Sequence, residues 1–378
     1  MKIPLGTPCI GSEEMAAVKR VLESGWLTEG SSNIEFEKQF ADFVGVKRAV
    51  TLNSCTSALQ LALQAQSIKG EVILPSFTFP ASANAVVTAG ATPVFADIEY
   101  GTCNIDPDDI ERKITSATEA IMVVHYAGQC CRMDKIVSIA NKHGLKVIED
   151  SAETVGAAFK GKVAGSFGVG CFSFFPTKNI TTGEGGMLTT DDDELADVVK
   201  TLAGHGIRKS TFNRENVSTP WIREVSVPGY NFRMSAILAA IGVEQMKKID
   251  VLNQQRLENA AYLAGKIDFP GIDLPYTEPD CTHVYQMFTV KVKNVDRDSF
   301  VRGLRDKGVM ASVHFTPPVH RQEYYVRNYP ARQGGLPVTD LVSNTIATLP
   351  MYPELSLSEL DYIAETVSAV CRELERRK

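Results

Sequence analysis

Apolar and polar positions along this chain change period at short intervals. Between residues 48 and 190, short apolar runs rich in β-branched side chains (48–52, 72–74, 93–96, 121–124, 145–149, 171–175) alternate with stretches whose apolar residues recur at helical spacing. In the stretch 133–142, for example, Met133, Ile136, Val137 and Ala140 share one face. This rhythm predicts about seven strands in a mostly parallel sheet with helices on both faces, an α/β fold. Ahead of it, Ser12 is placed to cap a helix with Met15, Val18 and Leu22 on its apolar face and Gly25 as its stop. A second helix spans 34–43, and Asp106 with Pro107 supplies a cap and a first-turn proline for another.

After residue 191 the pattern changes. A helix over 194–202 gives way to a polar stretch at 208–220, then to one long helical region, 234–266. The remainder reads as a smaller α+β unit, with strands over 285–292 and 310–314 and a helix over 297–307. Its last helix carries a capping box, Ser356 to Glu359, flanked by Leu355 and Leu360, with Ile363, Val367, Val370 and Leu374 along one face. At 378 residues the chain exceeds the usual size of one core, so a large domain over 1–250 and a small one over 251–378 are expected. The net charge of −6 argues against nucleic acid as a partner, since no basic excess exists to neutralise phosphates. With no apolar leader and no run of about 18 apolar residues, a cytoplasmic protein without membrane contact is expected. The eight cysteines, Cys130 and Cys131 included, lack metal or redox spacing and read as reduced, buried filler. No metal site is expected.

The candidate chemistry lies in residues 145–191. Asp150 ends a buried strand, and Lys178 follows a second one 28 residues later. Taken alone, either residue suits a surface ion pair at a strand end. Together they are what pyridoxal-phosphate chemistry needs: a carboxylate for the ring nitrogen and an amine for a Schiff base. The glycine-rich segment 183–186 allows close backbone approach to a ligand. Asn53 to Ser57, small polar residues at a strand-to-helix turn, suit a phosphate cup, although Ser and Thr are also ordinary caps. Phe77 and Phe79 offer an aromatic face, and His125 reads as a satisfied strand-end histidine.

Nearly the whole chain resembles the DegT/DnrJ/StrS sugar aminotransferases. The resemblance runs through SGWLTEG, LNSCTSAL, LPSFTFPASANAV, VIEDSAE, GSFGVGCFSFFPTKNITTGEGGMLTTDD, VPGYNFRMS and VHFTPPVH. It implies the aspartate aminotransferase fold, fold type I, with pyridoxal 5'-phosphate as cofactor and a homodimer with shared active sites. It implies Lys178 as the Schiff-base lysine and Asp150 on the pyridine nitrogen. Phe79 is similar to the residue stacked on the ring, while Cys55, Thr56 and Ser173 are similar to the phosphate ligands. Asn231 resembles an asparagine that reaches the neighbouring subunit's phosphate, and Glu153 stands where many members carry glutamine near the phenolic oxygen. The implied reaction moves an amino group from an amino acid, L-glutamate by family expectation, to a nucleotide-linked keto-sugar. A cyclitol ketone is the alternative acceptor, and a non-catalytic binding protein the alternative class. Trp26, Thr28, Glu184, His205, residues 208–214, His314 and His320 are the candidates for contacting substrate.

Overall fold

A computed structural model describes residues 1–207, 221–329 and 335–376. The strands of its first half are β1 (Arg48–Leu52), β2 (Glu71–Pro75), β3 (Thr92–Ala96), β4 (Thr118–Val124), β5 (Lys146–Asp150), the short hairpin β6 (Ala158–Phe159) and β7 (Lys162–Val163), then β8 (Val169–Ser173) and β9 (Gly186–Thr190). Seven of them form one sheet in the order β1-β9-β8-β5-β4-β2-β3, in which β9 alone runs against the rest. Such a sheet is covered on both faces, which is why β2 is buried at every position. The covering helices of this half are α1 (Ser12–Ser24), α2 (Ser31–Val44), α3 (Cys55–Ala65), α4 (Pro80–Thr88), α5 (Pro107–Lys113) and α6 (Met133–His143). The carboxyl ends of β4, β5 and β8 lie side by side, so the residues that follow them meet at one edge of the sheet.

Three local expectations are corrected. The cap of α1 is Gly11 rather than Ser12, and Met15 and Leu22 are 65% and 54% exposed while Glu14, Ala17 and Val21 are buried. The reason is polar: Glu14 reaches back to the Gly11 amide and takes bonds from Gln245 Nε2 and Lys248 Nζ. Burial opposes its charge, but these donors prevail and hold its carboxyl down at about 2. The long helical region is two helices, Ala236–Met246 and Ile249–Lys266, broken at the adjacent Lys247 and Lys248, which turn to Glu244 and to Glu14. Residues 310–314 form no strand; single bridges join Val309 to Ile3 and Ser312 to Thr348.

A second core holds the three-stranded antiparallel sheet of β10 (Ile272–Asp273), β12 (Phe288–Val292) and β13 (Ile346–Leu349), while β11 (Cys281–Thr282) pairs with β6. The final helix, Leu357–Glu375, carries the expected capping box at Ser356, and Ile3 from the amino end packs into this core. Asp97, just past β3, joins the two halves. Its Oδ1 accepts from Thr339 N, Thr339 Oγ1 and Ile98 N, and its Oδ2 from Val338 N, capping the helix Pro337–Thr345. Asp97→Ala leaves these buried donors without an acceptor and should cost about 2–4 kcal/mol, read as a lower midpoint in urea unfolding. Among the described residues, no helix is long and apolar enough to cross a membrane.

Candidate active site

Asp150 closes β5 and is buried. Its Oδ2 accepts from Ser82 Oγ on α4 at 2.7 Å, its Oδ1 from the Ala152 amide at 3.2 Å, and the Cys55 thiol lies 3.9 Å from Oδ1. Burial pushes its carboxyl above the ordinary aspartate value, and the Ser82 bond offsets only part of that. Ser82 is a residue that sequence reading missed; the small-residue pattern of α4 gave no sign that one serine faces the sheet. The neighbouring Glu149 is equally unexpected: fully buried in a run read as mostly apolar, it accepts from His125 Nε2 and from the amides of Gly165, Phe167 and Gly168. His125 is thereby satisfied, with Nδ1 accepting from Cys131 N.

Beyond β8 the chain turns through Pro176 and Thr177 to Lys178, whose Nζ lies 3.4 Å from Glu153 Oε1. The other oxygen of Glu153 accepts from the Ala127 amide at 2.8 Å, and the Ala127 backbone is left-handed, φ 58°. Glu153 and Lys178 therefore form a largely buried ion pair at the edge where β4, β5 and β8 end. At the start of α3, Ser54 caps by accepting from the Ser57 amide at 3.1 Å, and the Ser57 hydroxyl donates to Asn53 Oδ1 at 2.7 Å. The Cys55 and Thr56 amides lie in the first helical turn, where no intrahelical acceptor exists and the helix dipole favours an anion.

Within the glycine-rich segment, Gly186 lies against this cup, while Glu184 and Gly185 line the cavity beside it. A Cβ on Gly186 would press on the Ser54 carbonyl and sit 2.5 Å from the Cys55 nitrogen. Only a glycine lets β9 approach the turn so closely. Gly186→Ala should therefore displace the α3 start and weaken cofactor binding by at least about tenfold, as read by fluorescence titration with pyridoxal phosphate.

A cavity of about 490 Å³ opens at this edge, lined by Cys55, Thr56, Phe79, Asp150, Glu153, Ser173, Lys178, Glu184 and His314 from the expected set, with Phe175, Gln286, Phe315 and Thr348 beside them. Trp26, Thr28, His205, Asn231 and His320 do not line it. Trp26 Nε1 donates to Glu29 O; the His205 amide donates to Tyr230 O; Asn231 is exposed. His320 is buried, its Nδ1 2.6 Å from Ser76 Oγ, and its Nε2, 3.3 Å from Asp340, is too poorly aligned for a hydrogen bond. Residues 208–214 lie outside the described residues. Of Phe77 and Phe79, the first is buried and the second, 63% exposed, lines the cavity.

These residues fit pyridoxal phosphate. Asp150 is a buried carboxylate with no ion pair among the described residues, so a cationic ring nitrogen would supply the charge it lacks. Lys178 is the cationic side chain of the lining, and the α3 start with Ser173 would form the anion cup. The cavity size suits a small ligand with a substrate beside it.

The comparisons with known proteins give the family. The profile of the DegT/DnrJ/EryC1/StrS aminotransferase family matches residues 8–368. The chain is 41% identical over 379 aligned positions to the spore coat polysaccharide biosynthesis protein SpsC of Bacillus subtilis (strain 168), covering 98% of this chain and 97% of that one. Helicobacter pylori PseC, an aminotransferase involved in the biosynthesis of pseudoaminic acid, superposes with a TM-score of 0.90 at 30% identity, covering 99% of this chain and 100% of that one. The S. venezuelae DesV structure, in complex with a ketimine intermediate, gives a TM-score of 0.89 at 33% identity over 97% of this chain and 98% of that one. With a family match across nearly its whole length, this chain belongs to the DegT/DnrJ/EryC1/StrS aminotransferases and is a pyridoxal-phosphate-dependent sugar aminotransferase.

Proposed function

We propose that this enzyme moves the amino group of L-glutamate to a ketone on a nucleotide-linked sugar, working as a homodimer with shared sites. The observation that carries this reading is the buried Asp150 carboxylate on the same cavity as the Lys178 amine. The cofactor, when bound, supplies a ring that withdraws electrons from the carbon that loses its proton. Asp150 keeps a proton on the ring nitrogen, since a buried carboxylate without an ion pair gains most from that cation. Lys178 takes the proton from the donor's α-carbon and returns one on the other side of the exchange. The Cys55 and Thr56 amides and the Ser173 hydroxyl hold the phosphate, and Phe79 covers the ring face. Glu153, braced by the Ala127 amide, holds the Lys178 ammonium until the amine is needed.

The dimer reading is supported by what one chain leaves uncovered. Phe79 and Phe175 are 63% and 46% exposed at the cavity, and Asn231 is exposed away from the cavity of its own chain. A second copy would cover the aromatics and bring its Asn231 to this phosphate cup. The test is the visible spectrum of the cofactor-loaded protein before and after L-glutamate. Bleaching of the visible band, followed by its return on adding a nucleotide-linked keto-sugar, is the expected result; a band that glutamate leaves unchanged sinks the donor assignment.

A further inference from the structure

His314 occupies a position in the cavity wall that the roles above do not use. Its Nδ1 lies 2.9 Å from Thr348 Oγ1, which holds the ring, and its backbone carbonyl accepts from the Tyr126 hydroxyl at 3.2 Å, which fixes the chain beneath it. Thr348 itself is fixed by two backbone bonds to Ser312. Among the described residues, Nε2 of His314 has no hydrogen-bond partner, yet it is not sealed from solvent as the Nε2 of His320 is. Since His314 and Thr348 both line the cavity with Glu153 and Lys178, that nitrogen is left for a ligand. Burial, ahead of the opposed influences of Glu153 and Lys178, lowers the basicity of the imidazole, so the ring is neutral when the enzyme works near neutral pH.

A neutral imidazole presents one donor and one acceptor nitrogen, and the partner on one side decides the other. Thr348 Oγ1 accepts either arrangement, because a hydroxyl rotates. If it donates to Nδ1, the cavity meets an Nε2–H; if it accepts from Nδ1–H, the cavity meets a lone pair. Transamination brings two unlike substrates to one place. A carboxylate only accepts hydrogen bonds, whereas a sugar hydroxyl bonds best by donating to a basic imidazole nitrogen. A carboxylate side chain would accept from the hydroxyl but repel the first substrate, and a cationic one would hold the first but cannot accept the hydroxyl's proton.

We infer that His314 and Thr348 form a polarity-switching contact, donating from Nε2 to the amino donor's carboxylate and accepting at Nε2 from a hydroxyl of the sugar. This rests on the proposed reading that an amino acid and a sugar occupy the cavity in turn. Glutarate, a dicarboxylate without an amine, and UDP-glucose, a nucleotide sugar without a ketone, serve as unreactive probes on the cofactor-loaded protein. Calorimetry should show His314→Phe weakening both probes by about tenfold, one hydrogen bond each. Thr348→Val should separate them. Without the hydroxyl, an Nδ1–H would be a buried orphan donor, which is rarer than an unmet acceptor, so the ring stays in the Nε2–H form. Glutarate then keeps its affinity within about twofold, while UDP-glucose loses about tenfold.

A direct readout needs no cavity variant. With ¹⁵N-labelled histidine, the His314 nitrogens of the wild type should show Nε2 protonated with glutarate and Nδ1 protonated with UDP-glucose. The same tautomer with both probes, or a Thr348→Val protein that weakens both equally, overturns the switch. A wild type that binds neither probe overturns the two-substrate reading and the switch with it. A wild type that binds both without a tautomer change overturns only the switch.

Discussion

Lys178→Ala should lower turnover by at least about a thousandfold while cofactor remains bound, because the general base is lost and the cup is not. In the proposed reading the phosphate contacts belong to the start of α3 and to Ser173, and the ring-nitrogen contact to Asp150, none of which depends on the lysine. The variant should therefore still quench on titration with pyridoxal phosphate, yet a single-turnover experiment with L-glutamate should show almost no spectral change. It has a second consequence. Glu153 is buried and now pairs with the ammonium at 3.4 Å, keeping among the described residues only the Ala127 amide when that ammonium goes. A carboxylate left so is strongly destabilising, and cofactor-free Lys178→Ala should melt several degrees below the wild type. Lys178→Ala combined with Glu153→Gln should recover the melting temperature without recovering turnover. Unimpaired turnover by the single variant would end the assignment of Lys178.

What could be read from the sequence, and what could not, divides along the range of the forces involved. The Asp106 and Pro107 start of α5 and the capping box at Ser356 were legible because both devices are closed within one helical turn. The strands β1 to β5 were legible because burial on both faces leaves a run of apolar residues with little else to do. The face of α1 was not, because its orientation is set by Glu14 meeting Gln245 and Lys248, more than two hundred residues away. In the site, Asp150 and Lys178 stood out by residue type at strand ends. Ser82 did not, and Gly186 stood out only as one of a glycine cluster, since a serine among alanines and a glycine at the head of a strand acquire their particular partners only once α4 faces β5 and β9 meets α3.

Asp150→Asn should act in opposite senses on stability and on function. In the cofactor-free protein the carboxyl is raised by burial above its unfolded value. Below the unfolded value both states are protonated and Asp150 costs nothing. As pH rises above the unfolded value, the unfolded chain ionises while the folded protein resists, so stability falls until the folded value is passed and the whole loss is in place. Asparagine removes that loss. The geometry tolerates it: Ser82 Oγ can turn its proton from Oδ2 to the Phe79 carbonyl, 3.3 Å away, and accept from the new amide, while the Ala152 amide keeps its acceptor. Cofactor-free Asp150→Asn should thus be more stable than the wild type near neutral pH, by about 1–4 kcal/mol, with the gap closing toward acid. Function should move the other way. A neutral amide does not hold a proton on the ring nitrogen, so turnover should fall by about a hundredfold or more, the size of effect expected when a charge aimed at the reacting system is removed. The rise in melting temperature on adding pyridoxal phosphate should shrink as well, because the carboxylate no longer gains a cation. Thermal melts with and without cofactor across pH 4 to 8, on the order of the range where a raised carboxyl titrates, separate these effects. A variant less stable than the wild type at neutral pH, or one whose cofactor-dependent rise is undiminished, would show that Asp150 is held by its neighbours for packing and not poised for a cation.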